Sequence, residues 1–146
     1  MTLHLIKLCV GVDTIADLAR WQTRRIAERR KSRTRPYLFH ATRMVPKRQA
    51  ELLDGGSLYW IVKGLLQVRQ RISGFSDGIK PDGTPCCLIH LDRKLVAVRP
   101  VLKRAFQGWR YLPASEAPPD LANTSTGAID ALPPKMRKEL AELGLI

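Results

Sequence analysis

Three polar residues, Thr42, Lys47 and Glu51, flank one predicted strand-to-helix turn and are the best candidates for catalysis in this chain. A carboxylate beside a lysine can act as a general base in the hydrolysis of an amide or a phosphoester. The same spacing also fits a solvent-facing Glu51 that pairs with Lys47, because residues i and i+4 are neighbours on a helix. These residues therefore support an enzymatic hypothesis, but no motif requires it.

The histidines give little further support for catalysis. His4, His40 and His90 each lie in an apolar stretch, where an imidazole can bond to backbone groups. His40-Ala41-Thr42 matches one half of the two-histidine phosphoesterase motif, but His90-Leu91-Asp92 lacks the hydroxyl group that a second copy needs. We interpret all three as core or edge residues.

The cysteines predict neither a metal site nor a disulfide framework. Cys86 and Cys87 are adjacent, so on a strand their side chains point to opposite faces. No Cys-x-x-Cys pair is present, and Cys9 is far away in the sequence. We expect no metal and no cofactor, and a reducing cytoplasm as the compartment.

Positive charge is concentrated in one fifth of the chain. The formal net charge is +12, and the segment from Arg20 to Arg48 holds eleven basic residues and one acid, Glu28. Clustering of one sign is typical of a surface that binds a polyanion, most often nucleic acid. The candidate phosphate-binding residues in this segment are Arg24, Arg25, Arg29, Arg30, Lys31, Arg33, Arg35, Arg43, Lys47 and Arg48.

A second, smaller basic group is predicted on the sheet. Strand alternation places Arg69 and Arg71 on one face, opposite apolar residues. Trp109 and Arg110 follow in a segment where aromatic and polar residues interleave. Aromatic rings stack on bases and arginines reach phosphates, so this composition suits single-stranded RNA. Trp109 equally fits the rim of a core, where an indole has an apolar body and one polar atom.

The leading functional hypothesis is a nucleic-acid-binding protein without catalytic activity, with RNA favoured over DNA and ribosome association as one setting. Two alternatives remain open. One is an enzyme that acts on a nucleotide or modified RNA through Thr42, Lys47 and Glu51. The other is an adaptor that binds an acidic protein, since a basic surface serves that purpose too. A homodimer is expected if Tyr59 and Trp60 form an exposed apolar patch.

The elements that position these residues follow from periodicity. Leu3–Val10 is apolar almost throughout, which predicts a central strand, and a helix over 14–30 follows with Asp13 or Thr14 as its cap. Its apolar stripe turns the arginines outward. Short helices are expected near 46–53 and 134–143. Further strands are predicted at Tyr37–Met44, Ser57–Lys63, Leu65–Ser73, Cys86–Asp92 and Leu95–Phe106.

The predicted fold is α+β, with a curved, mostly antiparallel sheet of five or six strands, or a small PUA-like barrel, and the 14–30 helix packed on it. Residues 1–112 form the expected domain. Residues 113–146 read as an extension rich in proline and alanine that ends in a short helix. No apolar run approaches the length of a membrane-spanning helix, so no membrane partner is expected.

Four stretches of the sequence resemble a known family. They are Leu3–Gly11 (LHLIKLCVG), His40–Arg48 (HATRMVPKR), Leu52–Trp60 (LLDGGSLYW) and Arg104–Leu112 (RAFQGWRYL). They resemble a domain of unknown function found mainly in alphaproteobacteria, over Leu3 to about Asp120. The resemblance implies a cytoplasmic bacterial protein and assigns no catalytic residues.

A fainter similarity joins Trp60–Gly64 and Arg69–Ile72 to the strand-turn-strand of PUA-like and ASCH-like barrels. That similarity implies RNA binding. Fold alone does not decide function, so the implication stays an expectation.

Overall fold

The apolar runs of the sequence become strands, and its long amphipathic run becomes a helix. The computed structural model describes residues 2–31, 38–104, 106–121 and 134–142. In chain order the elements are β1 (Leu3–Leu8), α1 (Ile15–Lys31), β2 (Leu38–Thr42), α2 (Gln49–Leu53), β3 (Ser57–Val62), β4 (Leu65–Ile79), β5 (Pro85–Leu91), β6 (Val96–Leu102), β7 (Trp109–Pro113), a 3₁₀ turn (Ala114–Glu116) and α3 (Pro134–Glu142).

The strands form one open, mixed sheet of seven strands in the order β2-β5-β4-β3-β1-β7, with β6 paired to β4. β1 runs parallel to β3, with Leu5 opposite Leu58, and the other pairs are antiparallel. The α+β class and the curved sheet with a packed helix are confirmed. The predicted five or six strands become seven because Trp109–Pro113 pairs along β1 as a strand of its own.

Strand β4 organises the sheet because it has more than one set of partners. Its first part pairs with β3 on one side and β6 on the other, and its second part pairs with β5. The register with β5 shifts between Ile72 and Gly74. A bulge of this kind bends a strand, which lets one strand serve two parts of a curved sheet. The strand extends to Ile79, six residues beyond the predicted end at Ser73.

The two ends of the sheet approach each other through side chains. The indole nitrogen of Trp109 in β7 donates to the carbonyl of Met44 at 2.9 Å, just after β2. The hydroxyl of Tyr111 accepts hydrogen bonds from the backbone amides of Lys47 and Arg48, at 3.1 and 3.3 Å. These bonds hold the segment after β2 against β7. They also leave the helix predicted from residue 46 to begin only at Gln49.

Helix α1 packs through the predicted stripe. Ile15, Leu18, Gln22 and Ile26 are its buried residues, spaced by three or four positions. The hydroxyl of Thr14 accepts a hydrogen bond from the backbone amide of Asp17 at 3.1 Å, so Thr14 is the N-terminal cap of the two candidates, Asp13 and Thr14. No helix among residues 2–31, 38–104, 106–121 and 134–142 is long and apolar enough to cross a membrane.

Both faces of the central strands are buried. Leu5 and Leu58 belong to the larger apolar cluster, whereas their neighbours Ile6 and Tyr59 belong to a smaller one with Val98. Because successive side chains of a strand alternate, the two clusters lie on opposite faces of the sheet. This explains why β1 and β3 are apolar almost throughout. Tyr59 and Trp60 are both buried, so they do not form the exposed patch on which the homodimer expectation depended.

The segment after β7 packs on the sheet where the structure describes it. Leu121 is 1% exposed, and Asp120 forms an isolated β-bridge with Val98. The amide of Arg99 donates to the carbonyl of Pro119 at 2.9 Å. Residues 119–121 therefore pack against β6 and the core of the sheet. Residues 122–133 of the predicted extension lie outside the described part of the chain.

The ion pair between Arg69 and Asp120 is expected to make the free energy of unfolding depend on pH. Both guanidinium bonds to the carboxylate measure 2.8 Å, and they hold the pKa of Asp120 below its ordinary value. The unfolded chain therefore binds more protons, so this contribution is complete above the ordinary pKa of aspartate and is lost as pH falls through the folded value. Asp120→Asn is expected to cost about 2 kcal/mol of unfolding free energy at neutral pH and less in acid.

Urea denaturation between about pH 3 and pH 7 measures this difference. Glu116→Gln removes a charge from an exposed neighbour and serves as the matched control. An Asp120→Asn penalty that stays constant across the pH range would show that the carboxylate charge contributes nothing.

Candidate nucleic-acid interface and an adjoining pocket

The outer side of α1 carries a row of cations. Arg24, Arg30 and Lys31 are exposed, and Arg25 and Arg29 are partly buried. Glu28 is the one acid between them, and Asp17 in the first turn is bound by Arg20. The predicted outward placement of these side chains agrees with the helix stripe. Arg33 and Arg35 lie outside the described residues.

Two of these arginines lie on aromatic rings. The guanidinium carbon of Arg29 is 4.0 Å from the ring centre of Phe39 in β2. That of Arg25 is 5.1 Å from the Trp21 ring and 5.8 Å from Phe39. Cation–π contact fixes the guanidinium plane, so these side chains are held in place on the surface. We call this surface, made of Trp21, Phe39 and the α1 cations from Arg24 to Lys31, the basic face.

The basic residues after β2 form a separate group near β7. Arg43, Lys47 and Arg48 are all exposed. Arg48 bonds to Glu51 at 2.9 and 2.5 Å, and this contact raises the pKa of Arg48 and lowers that of Glu51. Arg43 and Lys47 are placed to meet solvent or a partner.

The catalytic candidates are not assembled into a base and its partner. Thr42 is 5% exposed, while Lys47 is exposed. The Glu51 carboxylate is bound to Arg48 rather than to Lys47, and its lowered pKa weakens it as a general base. No described contact brings these three side chains together.

The residues of the second, smaller basic group predicted on the sheet differ in their surroundings. Arg69 is bound to Asp120 and also donates to the hydroxyl of Ser57 at 2.9 Å, so its guanidinium serves the fold. Trp109 is 8% exposed, and its indole nitrogen bonds to Met44. Arg71 is exposed, and Arg110 lies 4.2 Å from the Phe106 ring centre with its side chain exposed. Arg69 and Trp109 are therefore engaged within the fold, whereas Arg71 and Arg110 are exposed.

A cavity of about 320 Å³ opens beside α1, where four elements converge. Its lining includes Lys7 and Cys9 from the end of β1, Trp21 from α1, His40 from β2 and Trp60 from β3. Lys7 stands opposite Trp60 in the β1–β3 register. One face of β1 carries Leu3, Leu5 and Lys7, so the lysine lies where the core-facing row of this strand reaches the cavity.

The cavity contains three titratable groups whose pKa values are shifted. Burial, with Lys7 and Arg25 nearby, lowers the pKa of His40 to about 4, so the imidazole is neutral at pH 7. Burial also lowers the pKa of Lys7 and raises that of the Cys9 thiol to about 11. A protonated thiol is a poor nucleophile, which argues against cysteine chemistry here. Within the described chain, Nε2 of His40 is buried without a hydrogen-bond partner.

A model of one protein family matches residues 5–146 of the chain. Its description is "Protein of unknown function (DUF1489)". The chain belongs to this family. The DUF1489 match runs past Asp120, so the C-terminal segment is part of the family pattern, in contrast to the shorter resemblance expected from the sequence. Neither the search of the curated proteins nor that of the solved structures finds a match.

A second cavity in this DUF1489 chain, of about 260 Å³, lies between α1, the β3–β4 turn and α3. The carboxylate of Glu139 accepts the backbone amide of Ala16 at 2.7 Å across this junction. It satisfies one of the unpaired amides in the first turn of α1. Met136 packs against the core nearby, so α3 is docked on the N-terminal end of α1.

Sequence reasoning overlooked the pocket beside α1 because its parts are far apart in the chain. The one local signal was Lys7, a charged residue at a core-facing position of an apolar strand. No group of three or more histidine, cysteine or acidic side chains suited to a metal occurs among the described residues.

Proposed function

We propose that this protein binds nucleic acid without catalysis, and RNA in preference to DNA, through the basic face. The observation that supports it is the near absence of acids along α1 combined with the two arginines held over Trp21 and Phe39. Arginines reach phosphate oxygens, and aromatic rings stack on unpaired bases. A solvated helix surface of the usual kind carries charges of both signs.

Single-stranded RNA is the form that this surface suits best. The basic face is a helix surface beside the edge strand β2, with exposed Trp21 at one end and a pocket adjoining it. Proteins that bind single strands combine a positive track with aromatic rings and a recess for bases. A duplex keeps its bases stacked, so it would use the cations alone.

The test is a salt titration of binding with matched charge variants. Arg24→Gln/Arg30→Gln removes two cations from the basic face, and Arg99→Gln/Lys103→Gln removes two exposed cations from β6 and the residues after it. For a labelled single-stranded RNA of about twelve nucleotides, the first variant is expected to bind about tenfold more weakly at low salt. Its slope of log K against log salt should shrink by about 1.4, or about 0.7 for each lost phosphate contact.

Fluorescence anisotropy from about 50 to about 400 mM salt gives both quantities, and the same strand as DNA and as duplex RNA measures preference. The control variant has the same net charge, so an equal loss in both variants would mean that overall charge, not the basic face, attracts RNA. Binding of wild type no tighter than that of a neutral protein would end the proposal. Capture of a protein after nuclease treatment, without RNA binding, would favour the acidic-partner alternative.

A further inference from the structure

The cavity beside α1 is a recess for one flat ring, and we infer that it receives a single unstacked nucleobase while Arg25 meets the attached phosphate. This inference rests on the proposed function and names what enters the pocket. The same chemistry is offered by a base in an RNA strand and by a free nucleotide.

The size and walls of the cavity fit a ring. Its volume of about 320 Å³ lies at the lower end of the range for small-molecule pockets, which is about 300–1,000 Å³. Two indoles, Trp21 and Trp60, contribute to the lining. The Trp60 ring is fixed, because its nitrogen donates to Gln70 at 2.9 Å and its ring meets His40 edge-on at 5.2 Å between centres. A fixed aromatic wall favours a flat guest over a flexible chain.

The polar groups in the cavity fit the edge of a base. Nε2 of His40 is buried and unpartnered in the described chain, an unfavourable arrangement that a hydrogen bond to a ligand would relieve. A neutral imidazole donates or accepts at this atom according to its tautomer, and the edge of a base offers both kinds of partner. Lys7 adds donors that match base carbonyl and ring-nitrogen acceptors.

The charges around the cavity select an anionic guest. Arg25 stands over the Trp21 ring that lines the cavity, and it lies close enough to His40 to act on its protonation. Lys7 lies inside the cavity, and Lys80 is near Lys7. An apolar side chain from a partner protein would leave Lys7 and His40 unpaired, at the cost of burying polar groups without compensation. A nucleobase joined to a phosphate offers hydrogen-bond partners to both Lys7 and His40.

The test compares a labelled RNA octamer with the same ribose-phosphate chain lacking all bases. His40→Phe keeps a ring against Trp60 and removes Nε2, so its melting temperature should equal or exceed that of the wild type. Wild type is expected to bind the intact octamer at least about tenfold more tightly than the abasic chain. His40→Phe should lose about fivefold of the intact affinity and none of the abasic affinity. Lys7→Met provides a second variant of similar length, which should weaken binding of the intact octamer more than binding of the abasic chain, where only one positive charge is lost.

Quenching of tryptophan fluorescence by single nucleoside monophosphates forms the second arm. Equal binding of intact and abasic chains would overturn the pocket while leaving the basic face as an RNA site. Nucleotide binding that depends on His40, with no binding of either chain, would support the pocket for a free nucleotide and remove the proposed function. Binding of neither nucleotides nor chains would overturn both. A preference for intact RNA that both variants retain would place the base elsewhere.

Discussion

Replacing Gln70 with leucine is expected to lower the free energy of unfolding by about 3 kcal/mol, because one buried amide holds four hydrogen bonds. Gln70 is fully buried, and its oxygen accepts from Gln22 at 2.7 Å and from the Trp60 indole at 2.9 Å. Its nitrogen donates to Gln22 at 2.9 Å and to the carbonyl of Asp92 at 3.0 Å. Leucine would leave the Gln22 amide and the Trp60 indole nitrogen in the core without these bonds.

Gln67→Leu is the matched control for this change. Gln67 is also buried on β4, but its side chain makes one described bond, from its nitrogen to the carbonyl of Val62 at 2.9 Å. Its loss should cost about 1 kcal/mol. Denaturation by guanidinium chloride measures the cost of each variant, provided that the m-value stays the same as in the wild type. Equal costs for the two variants would show that the Gln70 network adds nothing beyond one ordinary hydrogen bond.

Gln70→Glu extends the same prediction to pH. The isosteric carboxylate would face the Gln22 oxygen and the Asp92 carbonyl, both acceptors, as well as the two donors. Burial favours its protonated form, so its folded pKa would be raised and its protonated form can still donate one bond. The variant should therefore gain stability relative to wild type as pH falls from about 7 to about 5.

The Gln70 network also connects the fold to the pocket. It joins α1 through Gln22 to β3 through Trp60, and Trp60 forms one wall of the cavity. Gln22 lies on the buried stripe of α1, but its partner lies 48 residues away. Spacing along one element shows which face is buried. It does not show which polar group on another element will meet that face.

Local rules succeeded where one element decides the outcome. The stripe of α1, its cap at Thr14 and the apolar central strands all follow from short-range periodicity. They failed where a distant partner decides. Arg69 alternates with core residues, and its pairing with Asp120, 51 residues away, could not be derived from β4 alone. The strand β7 was overlooked for the same reason, because β1 provides its ladder.

The same contrast between local and long-range contacts applies to the candidate site. The outward arginines of α1 were predicted because the opposite side of the same helix is apolar. The pocket was not, since its lining comes from β1, α1, β2 and β3. His40 was interpreted as a core histidine, and it is largely enclosed, but its Nε2 atom has no described partner. Burial could be inferred from the apolar neighbours of His40, whereas the missing partner required three-dimensional contacts.

Gly56→Ala is expected to be the most damaging small substitution at the junction of α2, β1 and β3. A β-carbon built on Gly56 would lie 2.2 Å from the carbonyl oxygen of Leu3 and 2.3 Å from that of Leu52. Both contacts are with backbone, so no side chain can rotate away. The amide of Gly56 also donates to Leu52 at 3.0 Å, and its carbonyl accepts from Ile72 at 3.0 Å. Relieving the overlap would strain both bonds.

We expect Gly56→Ala to cost about 4 kcal/mol or more, at the upper end of single-substitution effects. Gly74→Ala is the matched control in β4, because the nearest atom to its added carbon is the His90 β-carbon at 3.9 Å, an ordinary contact. Thermal unfolding by circular dichroism compares the two variants. The Gly56 variant should melt well below wild type or fail to fold, while the Gly74 variant should stay close to it. Similar melting of both variants would mean that α2 can move away from β1 at little cost.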